Sequence, residues 1–506
     1  MNRKIGAILS YVLMFFEVLS TLLLTPFIIR TLGDAEYGVY KLVSSLTGYF
    51  LLLDLGIGNS VIRYIAKYKA TNDEKNTRKF IGICIVYFAL IAVIVLLLGS
   101  LLVIFFGDIF GRGLSNAEIE LSKSLLILTV INAAVTLGTS VFNNVIIAYS
   151  KFSVSKGTAI VHIIIRIILT FLALKFGLKS FAIILINLVL TVASRSYYAF
   201  YVLFKIKIKP KFDSIDPSFI KEIVSYSSFI LLQMIATQIN SHADQVLLGM
   251  FVSSSATIIG VYGVGAQIVQ YFQSIGQALG GVLMPGVVKK VESGATPKDL
   301  QHEMIRIGRY SLSILGIIFV GFAVNGKTFL MLWAGSNYDQ SYYVALLLMS
   351  AYLFILTESI GTQILWAKNK HQLQSVIKLL IVALNIVLTI FLIKWNPLIG
   401  ATIGTFISLM LGDVLSMNIV FKKEIGISLK QYYLGLGKGI IPSLILSSCT
   451  GVIILNIFPI GVIGFLVNVC AMTFVYLLSM ILFGFNQSEK NMIKGILIKI
   501  ASIIKK

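Results

Sequence analysis

Fourteen runs of mostly apolar residues follow one another along the chain, at about 5–29, 38–62, 80–106, 121–148, 156–175, 179–203, 222–251, 258–285, 308–326, 341–367, 374–394, 398–421, 439–457 and 461–484. Each is close to or above the roughly twenty residues that a helix needs to cross a bilayer. Hydrocarbon offers no partner to a backbone N–H or C=O, so segments of this length satisfy their own hydrogen bonds as helices. The polar intervals between runs are too short to hold a soluble domain. The pattern predicts an all-α integral membrane protein with 14 transmembrane helices.

The runs also repeat. Tyr37 to Phe50 (YGVYKLVSSLTGYF) aligns with Ile259 to Phe272 (IGVYGVGAQIVQYF) at an offset of 222, with Gly38/Gly260, Val39/Val261, Tyr40/Tyr262, Tyr49/Tyr271 and Phe50/Phe272 identical. Arg166 to Phe176 aligns with Asn385 to Trp395 at an offset of 219, matching Thr170 with Thr389 and Lys175 with Lys394. Apolar identities are cheap between membrane helices, so the Gly, Tyr, Thr and Lys matches carry the weight. The unit is six helices, and an even number of crossings makes the copies parallel repeats about an axis along the membrane normal. This predicts two pseudo-symmetric six-helix lobes, 1–205 and 222–423, joined by a cytoplasmic linker at 206–221 and enclosing a cleft of the alternating-access kind. Two further helices in 424–486 and an amphipathic cytoplasmic tail, 487–506, complete the expected organisation; in that tail Met492, Ile493, Ile496, Leu497, Ile500, Ile503 and Ile504 recur at helical spacing.

A net charge of +21 would suggest nucleic acid in a soluble protein. Here its distribution gives another meaning. With the N-terminus in the cytoplasm, cytoplasmic segments hold 31 of the 42 Lys and Arg, outward segments hold eight, and three lie inside spans. That is a topology signal, with both termini cytoplasmic, and nucleic acid is not an expected partner. Arg3 and Lys4 precede an apolar run too long for a signal peptide and without a small-residue cleavage site, so a retained first helix is expected. Cys84, Cys449 and Cys470 lie in apolar runs without ligand spacing, which predicts neither metal nor disulfide. No Walker A, HExxH or GxSxG sequence occurs. No catalytic residue, metal or cofactor is therefore assigned, and a transport function would be driven by a gradient, with protons or sodium as the candidate ions, or by the cargo's own supply and removal.

Ionisable groups at bilayer depth are expensive and face protein, water or substrate. In the first lobe these are Glu17, Asp54, Arg166 with His162, and Arg195; in the second they are Asp244 with His242, Glu358 and Asp413. Asp54 either pairs with Arg63 or reaches the other lobe. Glu17, Asp54, Asp244, Glu358 and Asp413 are candidates for ion coupling. On the seventh span Gln233, Thr237, Asn240, Ser241 and Asp244 share about one third of the circumference, and the eighth carries Gln267, Gln270, Ser274 and Gln277 in the same way. Such amide and hydroxyl stripes suit a hydroxyl-rich ligand such as a sugar, although polar groups on membrane helices also serve helix packing. Arg30, Lys41, Arg166 and Arg195 add cationic groups suited to phosphate oxygens.

Thr25 to Tyr40 (TPFIIRTLGDAEYGVY), Leu53 to Tyr68 (LDLGIGNSVIRYIAKY) and Ile239 to Tyr262 resemble the polysaccharide-repeat-unit flippases of the multidrug/oligosaccharidyl-lipid/polysaccharide exporter superfamily. The resemblance implies a V-shaped, two-lobe carrier in the bacterial inner membrane. It implies transfer of undecaprenyl-diphosphate-linked oligosaccharide to the outer leaflet, for O-antigen, capsule or exopolysaccharide assembly, amid membrane lipids and alongside a polysaccharide polymerase and a chain-length regulator. By the same resemblance helices 1, 2, 7 and 8 line the cleft, which favours Arg30, Lys41, Asp54, Gln233, Asn240, Asp244, Gln267 and Gln270 as contacts. The alternatives are a multidrug, lipid II-like or teichuronic exporter of the same superfamily and, from another class, a membrane-embedded glycan polymerase or glycosyltransferase.

Overall fold

The computed structural model describes residues 2–54, 56–212, 217–368, 370–458, 461–487 and 489–491. Among the described residues every regular element is helical, and they divide into two compact units, 1–263 with 382–401 and 264–381 with 402–506. The first unit contains α1 (Asn2–Leu32), α2 (Asp34–Leu51), α3 (Ile57–Ala70), α4 (Glu74–Ile104), α5 (Phe106–Phe110), α6 (Asn116–Gly138), α7 (Ser140–Ala148), α8 (Phe152–Lys175), α9 (Ser180–Phe200) and α10 (Pro217–Phe251). It also takes the start of α11 (Ala256–Glu292). The second contains the rest of α11, then α12 (Pro297–Trp333), α13 (Ser341–Thr357), α14 (Ser359–Ala367), α15 (His371–Leu392), α16 (Pro397–Leu409), α17 (Met417–Val420), α18 (Leu429–Gly437), α19 (Ile440–Ile457) and α20 (Val462–Ser479). Residues 382–401, in α15 and α16, belong to the first unit.

Among the described residues ten helical runs are long and apolar enough to cross a membrane, and the bent pairs α2 with α3 and α13 with α14 raise the number to twelve. The seventh and eighth predicted runs correspond to α10 and α11, of 35 and 37 residues, which stand outside that count. Fourteen crossings therefore stays the expectation of the sequence. The contact-based units follow a different line from the six-helix repeat, because α10 and part of α15 pack with the N-terminal helices.

Glycine sets the closest approaches of the first unit. A Cβ on Gly38 of α2 would lie 1.7 Å from the Ala256 carbonyl oxygen, and one on Gly48 would meet His242 and Gln238. The Gln238 amide donates to the Gly48 carbonyl at 2.9 Å, so α10 is both packed against and bonded to α2. Below them Val61, Ile65, Phe80, Ile81, Phe88, Val141, Val145 and Ile146 form the apolar core. Helix ends are closed by side chains: Asp73 caps α4 by accepting from the Asn76 backbone, which holds its carboxyl below the usual range. Ser115 and Glu118 form a reciprocal cap on α6. At the other end of α2, Glu36 accepts from the Ser180 N–H and hydroxyl and pairs with Lys179, tying α2 to α9. Part of the expected linker lies against α4, where Lys211 N–H donates to the Arg78 carbonyl at 3.0 Å; residues 213–216 of it and 492–506 of the expected tail fall outside the described residues.

The second unit closes around Ile307, Ile360, Ile364, Phe421, Tyr432, Ile440 and Met480. A buried ion pair pins its C-terminal end. Arg309 of α12 donates to both Glu489 oxygens at 2.7 and 2.9 Å and to the carbonyls of Gly435, Lys438 and Gly484. Five donors with five acceptors fully use the guanidinium, so the pair orients α12, α18 and the exit of α20 together. Removing one partner strands a buried charge, which costs about 3–5 kcal/mol, whereas two apolar residues of similar size are tolerated. Glu489→Ala is thus expected to lower the melting temperature of detergent-solubilised protein sharply, and the double change Arg309→Met with Glu489→Leu to recover only the part due to the stranded charge, since the Gly435, Lys438 and Gly484 carbonyls then lose their donor.

Candidate functional site

Two helices of the first unit each offer a pair of polar residues one turn apart. On α10 these are Asn240 and Asp244, and on α15 they are Asn385 and Thr389. The pairs interlock: Asn385 Nδ2 donates to Asn240 Oδ1 at 2.8 Å, and the Thr389 hydroxyl donates to Asp244 Oδ1 at 3.3 Å and Asn385 Oδ1 at 3.1 Å. The Tyr262 hydroxyl donates to the other Asp244 oxygen. Asp244, Asn385, Thr389 and Tyr262 are buried. In surroundings of low dielectric such a chain is strong when satisfied and costly when broken.

The predicted stripe on α10 therefore splits. Asn240 and Asp244 turn to α15, while Thr237 and Ser241 are exposed; the Gln233 side chain lies outside the described residues. Tyr262, Asn385 and Thr389 did not stand out in the sequence as site residues. Their signals were the Tyr40/Tyr262 and Thr170/Thr389 identities and a polar pair at helical spacing in an otherwise apolar run.

A cationic group forms elsewhere in the same unit. Arg166 of α8 is half-buried and reaches the buried Ser20 hydroxyl at 3.4 Å, joining α8 to α1. His162, one turn earlier, is within electrostatic reach of both Arg166 and Arg195. Arg195 of α9 lies over the Tyr198 ring at 5.9 Å. Among the described residues no carboxylate pairs with Arg166 or Arg195. Lys41 is half-buried beside Gly263, where a Cβ would sit 3.0 Å from its Cγ, and its Nζ is 5.4 Å from the Tyr37 ring centre. Arg30 and Glu17 are exposed. Asp54 accepts from the Gly58 N–H at the start of α3, a capping role.

In the second unit Gln267 is buried and donates to the Tyr271 hydroxyl at 2.6 Å. Gln270 and Gln277 are exposed on one side of α11, and Ser274 between them bonds back to the Gln270 carbonyl. Asp413 pairs with Lys378 at 3.4 Å. Glu358 is buried at the break between α13 and α14 and accepts from Asn418 and Tyr433.

A family model described as "Polysaccharide biosynthesis protein" matches residues 6–290, more than half of the chain. The chain belongs to the polysaccharide biosynthesis protein family. The matched region includes the arginines of α8 and α9, the stripes of α10 and α11 and Lys41; Glu358, Asn385, Thr389 and Asp413 lie beyond it. A "Putative O-antigen transporter" of Shigella flexneri is 23% identical over 79% of this chain and 94% of its own length. A "Probable flippase AglR" of Haloferax volcanii is 28% identical over 36% of this chain, and this match spans only 38% of that relative's length. The structure titled "Lipid II flippase MurJ, inward closed conformation" superimposes with a TM-score of 0.68 at 16% identity, covering 94% of this chain and 97% of that one. At that identity the likeness is one of fold, and it bears out the all-helical membrane architecture read from the family member's hydrophobic runs.

The α10–α15 network makes a direct expectation. Asp244→Ala removes the acceptor of the Tyr262 hydroxyl and one of the two acceptors of the Thr389 hydroxyl in a buried setting, at about 1–3 kcal/mol. Asp244→Asn keeps one acceptor and should lose less. Thermal melting of the two purified variants against the parent checks the order.

Proposed function

We propose that the protein carries undecaprenyl-diphosphate-linked oligosaccharide units from the cytoplasmic to the outer leaflet of a bacterial inner membrane by alternating access, supplying O-antigen, capsule or exopolysaccharide assembly. One observation carries the reading: Arg166 and Arg195 sit on membrane helices and, among the described residues, have no carboxylate counter-ion. An arginine at that depth costs at least about 2.5–3.5 kcal/mol on insertion scales and is kept where it meets water, protein or an anion. Its planar fork matches phosphate oxygens in pairs, so a diphosphate satisfies two such groups better than a neutral sugar does.

The glycan needs weaker and more numerous partners. Thr237, Gln270 and Gln277 are exposed hydroxyl and amide groups of the required kind, and the polyprenyl chain can remain in the hydrocarbon from which it comes. Proton or sodium gradients are the proposed drive, with Glu17, Asp54, Asp244, Glu358 and Asp413 as the candidate groups. The family assignment and the transporter and flippase names of the relatives support this class, and they favour a carrier over a glycan polymerase or glycosyltransferase. A polymerase and a chain-length regulator are the proposed neighbours in assembly.

The test is a proteoliposome assay in which labelled polyprenyl-diphosphate oligosaccharide becomes accessible to an impermeant reagent. Arg166→Gln and Arg195→Gln are expected to slow translocation about 10- to 100-fold each, the equivalent of losing a charge-assisted hydrogen bond of about 1.5–3 kcal/mol. Rates unchanged in both variants would remove the diphosphate contact. Sugar transfer by the purified protein would overturn the carrier reading altogether.

A further inference from the structure

The two sequence repeats break one helix at the same place. α6 ends at Gly138 and α7 runs Ser140–Ala148; α13 ends at Thr357 and α14 runs Ser359–Ala367. The displacement is 219 residues, the register that pairs Thr170 with Thr389. Thr139 and Glu358, the residues at the two breaks, have similar backbone angles: φ −108° and ψ 4° for the first, φ −90° and ψ 0° for the second. Each N–H donates to the carbonyl four residues back, and each carbonyl accepts from the N–H three residues on. Thr139 completes its break locally, its hydroxyl donating to the Val135 carbonyl at 2.5 Å. The outcomes differ: Asn116–Ala148 continues as one span, whereas α13 and α14 are bent by 42° at Glu358. The first copy makes its break without an ionisable group.

The second copy nevertheless has one. Glu358 is 3% exposed. Its Oε1 accepts from Asn418 Nδ2 at 3.1 Å and from the Tyr433 hydroxyl, while Oε2 is buried and has no hydrogen-bond partner among the described residues. Asn418 Oδ1, on a residue 5% exposed, is likewise without one. An ionised carboxylate enclosed with half of its acceptors unmet is costly, and a neutral acid avoids that cost.

The other candidate carboxylates are differently placed. Glu17 is exposed, Asp54 caps α3, Asp413 pairs with Lys378, and both oxygens of Asp244 accept from hydroxyls. Charges on the elements packed around Glu358 are engaged elsewhere or exposed. Arg309 pairs with Glu489, Glu303 with Lys290 and Arg306, and Glu424 with Lys370, while His302, Lys422, Lys423 and Lys430 are exposed. The titratable groups facing it are Tyr433, which donates to it, and Tyr432, whose hydroxyl donates to the neighbouring Thr357 carbonyl at 3.0 Å. Both phenols lie on α18 outside the spans, and burial holds both above their ordinary range, so they stay protonated donors.

We propose that Glu358 is a proton-binding site that takes up one proton from water on Oε2 and releases it again, and that its charge sets the geometry of the break between α13 and α14. In the neutral state the acid carbonyl serves Tyr433 and Asn418 as observed. In the ionised state Oε2 needs a donor, and opening the break is the nearest way to provide one. As a coupling device this rests on the carrier reading; proton uptake itself does not.

A native reporter lies on α14. Trp366 donates to Gln374 at 2.7 Å, and with Trp333→Phe and Trp395→Phe it becomes the sole tryptophan of the chain. In liposomes its emission is expected to follow a single-proton transition with pH, lost in Glu358→Gln and in Glu358→Thr, the latter restoring the residue of the first repeat. Glu358→Gln can accept the same two hydrogen bonds, so it carries the test even where Glu358→Thr does not fold. A transition that persists in Glu358→Gln, none in the parent, or one reproduced by sodium at fixed pH would overturn the site. In the flux assay a pH gradient should accelerate translocation in the parent and lose that effect in Glu358→Gln. A pH transition without any translocation would uphold the proton site and overturn the carrier reading instead.

Discussion

Hydrocarbon cannot accept or donate a hydrogen bond, and that single constraint organises the molecule. It forces the backbone into helices, and it obliges each polar side chain on those helices to find a partner in the protein or to meet something else. The Asn240–Asn385 and Asp244–Thr389 contacts, the Arg309–Glu489 pair and the Asp413–Lys378 pair are answers of the first kind. Among the described residues Arg166 and Arg195 meet a hydroxyl and a ring but no carboxylate, and Oε2 of Glu358 meets no donor, so the charge at these positions is left for something else to balance.

This sorting explains what was legible beforehand. Helical runs, their apolar character and the polar intervals are properties of local composition, so architecture could be read directly. Whether Asp244 meets substrate or a neighbouring helix depends on which face of α15 packs against α10, a tertiary fact with no local trace beyond the spacing of Asn385 and Thr389. Thr237 and Asn240 share a stripe in projection, yet the first lies on an exposed part of α10 and the second bonds Asn385 of α15. A helical wheel gives direction around one axis and cannot say which neighbour fills it. Asp54 illustrates the same limit at shorter range, because the turn that brings Gly58 N–H to its carboxylate exists only once α2 has ended.

The repeat is informative where the copies differ. Arg166 occupies the position that Asn385 takes in the second copy, one turn from the shared Thr170/Thr389 pair. A duplicated scaffold thus supplies a cation in one half and an amide, bonded next to an acid, in the other. Such divergence places an arginine in one repeat where the other has an amide that bonds a neighbouring helix.

The Thr139/Glu358 pair carries this one step further, because its asymmetry reaches outside the repeat. Thr139 bonds to its own helix and could occur in an isolated six-helix unit. Glu358 relies on Tyr433 of α18, which lies beyond the two six-helix copies, and α18 is in turn fixed by Arg309 through the Gly435 and Lys438 carbonyls. The buried acid and the C-terminal extension therefore depend on each other. Without α18 the carboxylate would lose its tyrosine donor, and without the carboxylate the Tyr433 hydroxyl would lose its acceptor. Added helices that merely thickened the bundle would not need to reach back to a break in α13 and α14; α18 supplies the tyrosine hydroxyl that Oε1 of the acid at that break accepts.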